Sequence, residues 1–251
     1  VENRAIRRVI AGRMPSLGAV RHLAPARPQA LERSPHRVLA RLADGRQVTA
    51  RLAVGADGRE SWTRQQADIP LTRWSYGQSA IVCAVAHERD HGNVAHEHFL
   101  PGGPFAILPL VGNRSSLVWV EPTAVAAEIM ALDDTAFLAE LGDRFGDFLG
   151  DLAVVGPRWC HPLSLQFARE TVAPRLALVG DAAHAMHPIA GQGLNMGIRD
   201  VAALTDVLAE ASRLGLDIGS TTVLARYERW RRFDSHLMLA ATDGLNRLFS
   251  N

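Results

Sequence analysis

Apolar residues recur along this chain with two different periods, and the switches between them mark its organisation. Residues 3–14 place Ile6, Val9 and Ile10 at helical spacing, with Gly12 and Pro15 as a closing pair, which predicts a helix. Three short strands are expected next, at 20–23, 37–42 and 47–54. They are β-branched or alternating, and Asp44-Gly45 between the last two signals a hairpin. The third strand runs into Gly55-Ala56-Asp57-Gly58 and a short helix around 62–66. From Tyr76 alternation takes over. Strands at 78–87, 94–100, 105–110 and 115–121 are separated by Pro101-Gly102-Gly103-Pro104 and Gly112-Asn113, the punctuation of an antiparallel sheet. Helices follow at 123–131 and 134–148, then a strand at 163–167. A short buried strand at 175–179 ends the second period change. A glycine-rich stretch then opens a helix through Leu208, and a last helix covers 221–248.

This order predicts a mixed α/β (α+β) fold in which an antiparallel sheet is inserted into an α/β domain, with boundaries at 1–70, 71–168 and 169–251. The chain has 251 residues, 47% hydrophobic and 21% charged, an ordinary globular composition. Lys+Arg 27 against Asp+Glu 26 gives a net charge of +1, so nothing electrostatic argues for a nucleic-acid partner. Two distant cysteines, Cys83 and Cys160, argue against a disulfide framework, and a reducing cytosol is the default expectation. No apolar run approaches the ~20 residues of a membrane span, and no signal peptide is visible. Val1 is not a start methionine and residues 1–6 resemble the middle of a protein, so preceding residues are expected.

The most informative segment is 180–200. A buried strand ends at Gly180, where backbone can approach a ligand closely. Asp181 stands at the strand's carboxyl end, where open α/β sheets bind ligands; a carboxylate there suits sugar or ribityl hydroxyls and not a phosphate. Pro188 fixes the chain direction. Gly191, Gly193 and Gly197 then leave backbone amides uncovered near a helix start, which favours anionic or electron-rich atoms. Taken alone, the glycines fit a nucleotide loop or close helix packing equally well. Asp57-Gly58 is either a ligand contact or a turn with an Asx cap. Arg59 is either a phosphate partner or a solvated residue. His184 with His187, and His96 with His98, lack a third ligand, so no metal site is expected. Phe105, Trp119 and Leu163 are read first as core.

As a combined string these residues are more specific. Gly180-Asp181-Ala182-Ala183-His184 resembles the second FAD motif of the flavoprotein aromatic hydroxylases, the p-hydroxybenzoate hydroxylase-like family. His187-Pro188-x-Ala190-Gly191-Gln192-Gly193-x-Asn195-x-Gly197-x-x-Asp200 resembles the signature of its ubiquinone-biosynthesis branch. Gly55-Ala56-Asp57-Gly58-Arg59-x-Ser61 resembles the family's Asp-Gly motif, and Glu2-Asn3-Arg4-x-Ile6-x-x-x-Ile10 the helix behind its first FAD strands. Tyr76-x-Gln78, Phe99-x-Pro101-x-Gly103-Pro104 and Leu108-Pro109-Leu110 extend the likeness across the insert.

The resemblance implies a Rossmann-like FAD-binding domain, an inserted substrate domain and C-terminal helices. It implies FAD as cofactor and NAD(P)H as co-substrate. By this likeness Asp181, with Gly180, holds the ribityl chain, Pro188 and Gly191 lie along the isoalloxazine, and Gly193, Leu194 and Asn195 bind its pyrimidine end. Asp57 and Gly58 contact the pyrophosphate region, and Asn3 reaches the flavin edge. The implied reaction is hydroxylation of a polyprenylated phenol in ubiquinone biosynthesis through a flavin C4a-hydroperoxide, with no acid or base assigned. The implied location is cytoplasmic, with peripheral inner-membrane or biosynthetic-complex association. A same-fold halogenase or reductase, or a flavin-free scaffold subunit, are the rival readings. The family's opening Gly-x-Gly-x-x-Gly unit is not in the sequence, so this piece alone is expected to be inactive and to hold FAD weakly or not at all.

Overall fold

The structure, a computed structural model, describes residues 3–188 and 191–249. Helix α1 (Asn3–Arg13) leads through a 3-10 turn containing Pro15 to irregular chain. Strands β1 (Pro28–Arg33), β2 (Val38–Leu42), β3 (Gln47–Ala50) and β4 (Ala53–Gly55) precede the short helix α2 (Trp62–Gln65). Next come β5 (Leu71–His87), β6 (His96–Leu100), β7 (Gly103–Pro109) and β8 (Arg114–Pro122), then α3 (Thr123–Ala131) and α4 (Asp134–Phe145). The chain closes with β9 (Leu152–Ala168), β10 (Val172–Ala173), β11 (Leu176–Leu178), β12 (His184–Ala185), α5 (Gly193–Arg213) and α6 (Thr221–Phe249). The mixed α/β class expected from the pattern is the class observed. No described helix is long and apolar enough to cross a membrane.

Three expectations need correction. The strand expected at 20–23 is irregular chain, and the pairing falls to β1 instead. Pro28 disguised β1, yet proline is tolerated as the first residue of a strand, and a register irregularity between Pro28 and Ala30 absorbs it. The single strand expected at 47–54 is two: β3 pairs antiparallel with β2, while β4 pairs parallel with β11. Arg175, at φ +63, receives Ala53 N–H on its carbonyl and donates from its guanidinium to Arg51 O, so the break sits where the chain changes partner. The strand expected at 163–167 extends back to Leu152. Gly156, Pro157 and Pro162 hid its first half, because such residues are weak strand signals even where the fold admits them.

The chain forms two compact units. The first comprises 1–25, 77–163 and 247–251. Within it β5, β8, β7 and β6 are consecutive antiparallel neighbours. Their alternate residues Ile81, Cys83, Val85, Phe105, Ile107, Leu117 and Trp119 pack with Phe137, Leu141 and Phe145 of α4. Phe105 and Trp119 are thus core, as their size and position on alternating strands predict. Trp119 Nε1 donates to Glu121 Oε1 at 2.8 Å. In contrast, α1 buries none of its residues, and Val9 is 73% exposed.

The second unit comprises 26–76 and 164–246. The small sheet β10-β11-β4 forms its centre, with β11 fully buried. Ala203, Leu204, Val207 and Ala211 of α5 and Val223, Leu224 and Tyr227 of α6 pack over Ala177 and Val179. Gly55 at the end of β4 has no room for a side chain. A Cβ there would lie 2.8 Å from Leu178 Cδ2 and 2.9 Å from Thr63 Cγ2. Gly55→Ala is therefore expected to cost about 1–3 kcal/mol of stability by overpacking, readable as a lowered urea midpoint; an unchanged midpoint would show that Leu178 and Thr63 yield freely.

Candidate functional site

The carboxyl end of β11 feeds a 3-10 turn, Gly180–Ala182. Gly180 takes φ +60, a conformation glycine adopts without strain. Its amide donates to Asp200 Oδ2 at 2.9 Å, linking the turn to α5. Gly197 faces Gly180 across this junction, and a Cβ on Gly197 would sit 3.4 Å from Gly180 Cα. These two glycines are therefore packing residues that let the turn and the first turns of α5 lie together.

Asp200 is the buried hub of the junction, 1% exposed. Arg231 Nε donates to its Oδ1 at 2.7 Å. His184 Nε2 lies 2.8 Å from its Oδ2, off the line of a hydrogen bond. Burial pushes the Asp200 carboxyl up, but His184, the Arg231 donor and the Gly180 amide outweigh it and hold it below the usual carboxylate range. Arg231 is shared with Asp234, and its Nη2 lies 3.8 Å from Met196 Sδ.

The Asp57-Gly58 turn is built by local chemistry. Both Asp57 oxygens are engaged: Ser61 Oγ donates to Oδ1, while Thr63 N–H and Oγ1 donate to Oδ2 at 2.8 and 2.9 Å. Ser61 caps α2 by accepting from Arg64 N–H, the usual service of serine at a helix start. Burial raises the Asp57 carboxyl, but these donors bring it below its ordinary value. Gly58, at φ +83, has open space where a Cβ would stand. Arg59 is half-buried, and its Nη2 donates to Ser164 O at 2.8 Å and Ser164 Oγ at 2.7 Å.

The remaining predicted residues are exposed. Asp181 is exposed and has no partner among the described residues. Pro188 is exposed, and Gly191 N–H donates to its carbonyl at 2.8 Å. Gly191, at φ +59, and Gly193 both face open space. Leu194 is half-exposed at the start of α5, and Asn195 Nδ2 donates to Gln192 Oε1 at 3.1 Å. The first-turn amides of this 21-residue helix stand outside its hydrogen-bond ladder. Ala190 and Glu2 lie outside the described residues. Asn3 is exposed at the start of α1, in the first unit rather than the second. An exposed carboxylate, a rigid exposed proline and bare amides beside open glycines form a donor and acceptor set that fits a polyol attached to a flat heteroaromatic ring.

His187, buried and next to Pro188 in the chain, sets its ring edge-on to Tyr76, centroids 5.0 Å apart. Burial lowers its pKa to about 4, against a smaller opposing pull from Asp243. The folded state therefore prefers neutral His187, whereas the unfolded chain protonates near 6.5. Its contribution is full above about pH 6.5 and is lost as pH falls toward 4, about 2–3 kcal/mol by pH 4.5. Urea unfolding between pH 7.5 and 4.5 should show this slope, and His187→Gln should flatten it.

Sequence reasoning missed Arg64, Gln166 and Arg231 as builders of this region. Asp200 stood inside the quoted string, but only its spatial partners reveal its task.

The sequence profile described as an FAD binding domain matches residues 8–240. The chain belongs to this FAD binding domain family. It is 56% identical over all 251 residues to the ubiquinone hydroxylase UbiL of Rhodospirillum rubrum, covering 58% of that protein. It is 40% identical over 210 residues to the 3-demethoxyubiquinol 3-hydroxylase of Escherichia coli, covering 84% of this chain and 54% of the relative. Among solved structures, PqsL of Pseudomonas aeruginosa, a probable FAD-dependent monooxygenase, superposes with a TM-score of 0.80 at 25% identity, covering 98% of this chain and 70% of PqsL. The chain thus spans a little over half the length of these two curated relatives.

Proposed function

We propose that the protein to which this chain belongs is an FAD-dependent monooxygenase that hydroxylates the aromatic ring of a polyprenylated phenol in ubiquinone biosynthesis, using NAD(P)H and O2. The observation that carries this reading is the 56% identity to a ubiquinone hydroxylase across the whole chain. The halogenase reading has only the shared fold behind it: the flavin-dependent halogenase CmlS superposes at 18% identity.

FAD, when bound, supplies the redox and oxygen chemistry. The chain's own residues bind, orient and exclude water. Asp181 accepts hydrogen bonds from the ribityl hydroxyls, with Gly180 keeping the backbone close. Pro188 and Gly191 would hold the ring, and the amides of Gly193, Leu194 and Asn195 would donate to its polar atoms. Asp57 acts indirectly, holding the 57–63 turn in shape so that Gly58 presents open backbone to the pyrophosphate region. Segments 1–70 and 169–251 are assigned to FAD binding and 71–168 to the phenol. The enzyme works in the cytoplasm, at the membrane periphery or in a biosynthetic complex where its lipid-tailed substrate resides.

The test is turnover by the full-length protein. Oxidation of NAD(P)H should depend on a polyprenylated phenol, and one oxygen from labelled O2 should appear on the product ring. A halogenated or merely reduced product, or no flavin in the purified full-length protein, would refute the proposal.

A further inference from the structure

We propose that Glu97 is the acceptor for the ring hydroxyl of the phenol, at the end of an open sheet face shaped as a substrate floor. The inference rests on the hydroxylase reading above and assigns a new residue to it.

The antiparallel strands β5, β8, β7 and β6 pack one face of their sheet into the core of the first unit. On the other face, residues directly opposite one another form rows. One row runs Glu97, Ala106, Val118 and Val82. The next runs Leu108, Ser116 and Ala84. None of these residues is buried, although β7 and β8 are interior strands with a neighbour on each side. An antiparallel sheet with one face in water ordinarily carries polar residues there. Here alanine, valine and leucine fill every position but Glu97 and Ser116. An open apolar surface of this kind marks a binding site. Protein interfaces favour aromatic residues, methionine and arginine, and these rows hold none of them. Small side chains leave a trough instead, which suits a flat ring with an isoprenoid tail.

Glu97 is the only ionisable side chain in the two rows. His96 and His98, its neighbours along β6, pair with Ile107 and Phe105 and so take the core face. Among the described residues Glu97 has no hydrogen-bond or ion-pair partner, and partial burial raises its carboxyl above the ordinary value with nothing to oppose it. A carboxylate left without a partner at the end of an apolar floor adds nothing to folding and is ready to receive a donor from a ligand. A phenol hydroxyl is such a donor. Its hydrogen bond to a carboxylate is charge-assisted. The bond holds the ring in one orientation and shifts electron density from the oxygen into the ring that is to be hydroxylated. A raised carboxyl is the stronger acceptor for this purpose.

The test uses the full-length protein with FAD bound, a geranylated phenol, and the O-methyl ether of that phenol, which cannot donate. Binding is read as a perturbation of the flavin absorbance, separately from turnover. The wild-type protein should bind the phenol about tenfold or more tighter than the ether, the value of a hydrogen bond to a charged group. Glu97→Ala should erase that preference, leave the affinities for the ether and for FAD unchanged, and lower kcat by about tenfold or more. Glu97→Gln keeps an acceptor without the charge and should fall between the two. Both variants should fold, because Glu97 is exposed and has no partner among the described residues. A preference for the phenol that survives Glu97→Ala, or equal binding of phenol and ether by the wild type, would overturn the proposal and leave the hydroxylase reading in place. Failure of the variants to fold would make Glu97 a structural residue and also overturn it. Absence of bound FAD, or of binding to either compound, would sink the hydroxylase reading and this proposal together.

Discussion

Asp200→Ala is expected to lower folding stability by about 3–5 kcal/mol, the range for removing one partner of a buried ion pair. Three groups lose their partner together. The Gly180 amide is left without its acceptor, Arg231 Nε faces an empty space, and His184 loses the carboxylate beside its ring. Exposure of 1% means that water cannot replace the carboxylate cheaply. Removing the stranded cation as well should recover part of the loss, so Asp200→Ala with Arg231→Met is expected to be more stable than the sum of the single changes predicts. Urea unfolding of the four proteins measures this directly. A loss below about 1 kcal/mol for Asp200→Ala would mean that the hub is a surface-like pair of little weight.

Asp181→Ala should behave in the opposite way. Its carboxylate is exposed and has no partner among the described residues, so folding stability should stay within about 0.5 kcal/mol of the parent. FAD affinity of the full-length protein should fall about 10- to 100-fold, the value of charge-assisted hydrogen bonds to hydroxyls. Equilibrium titration of the apoprotein with FAD gives the first number and urea unfolding the second. The contrast is diagnostic. A fall in stability with unchanged affinity would show Asp181 to be a structural residue, and the ribityl reading would fail.

These two aspartates show why proximity in sequence is a poor guide to task. Both lie in one glycine-rich stretch. One faces solvent at a strand end and the other is enclosed by α6. Gly197 is likewise a packing residue against Gly180, whereas Gly191 and Gly193 face open space. A motif therefore mixes residues that meet a ligand with residues that hold the motif together.

The sequence by itself determined what local chemistry controls. Alternation from 78 to 121 predicted the antiparallel sheet, because side chains on a half-buried strand must alternate between core and solvent. The Asp44-Gly45 hairpin and the helices expected at 3–14, at 123–131 and through Leu208 followed from turn residues and period. Only the tertiary structure decided what depends on a distant partner. It split 47–54 between two sheets, since Arg175 and β11 compete with the β2 hairpin for that backbone. It carried β9 through Gly156, Pro157 and Pro162, where the pairing context tolerates residues that local propensity would reject. It also gave the Arg64 guanidinium to the carbonyl of Ala182, 118 residues along the chain. The physical reason is common to all three: a buried polar group or backbone amide must be satisfied by whatever the fold brings beside it, and that neighbour is set by packing over a hundred residues rather than by spacing along the chain.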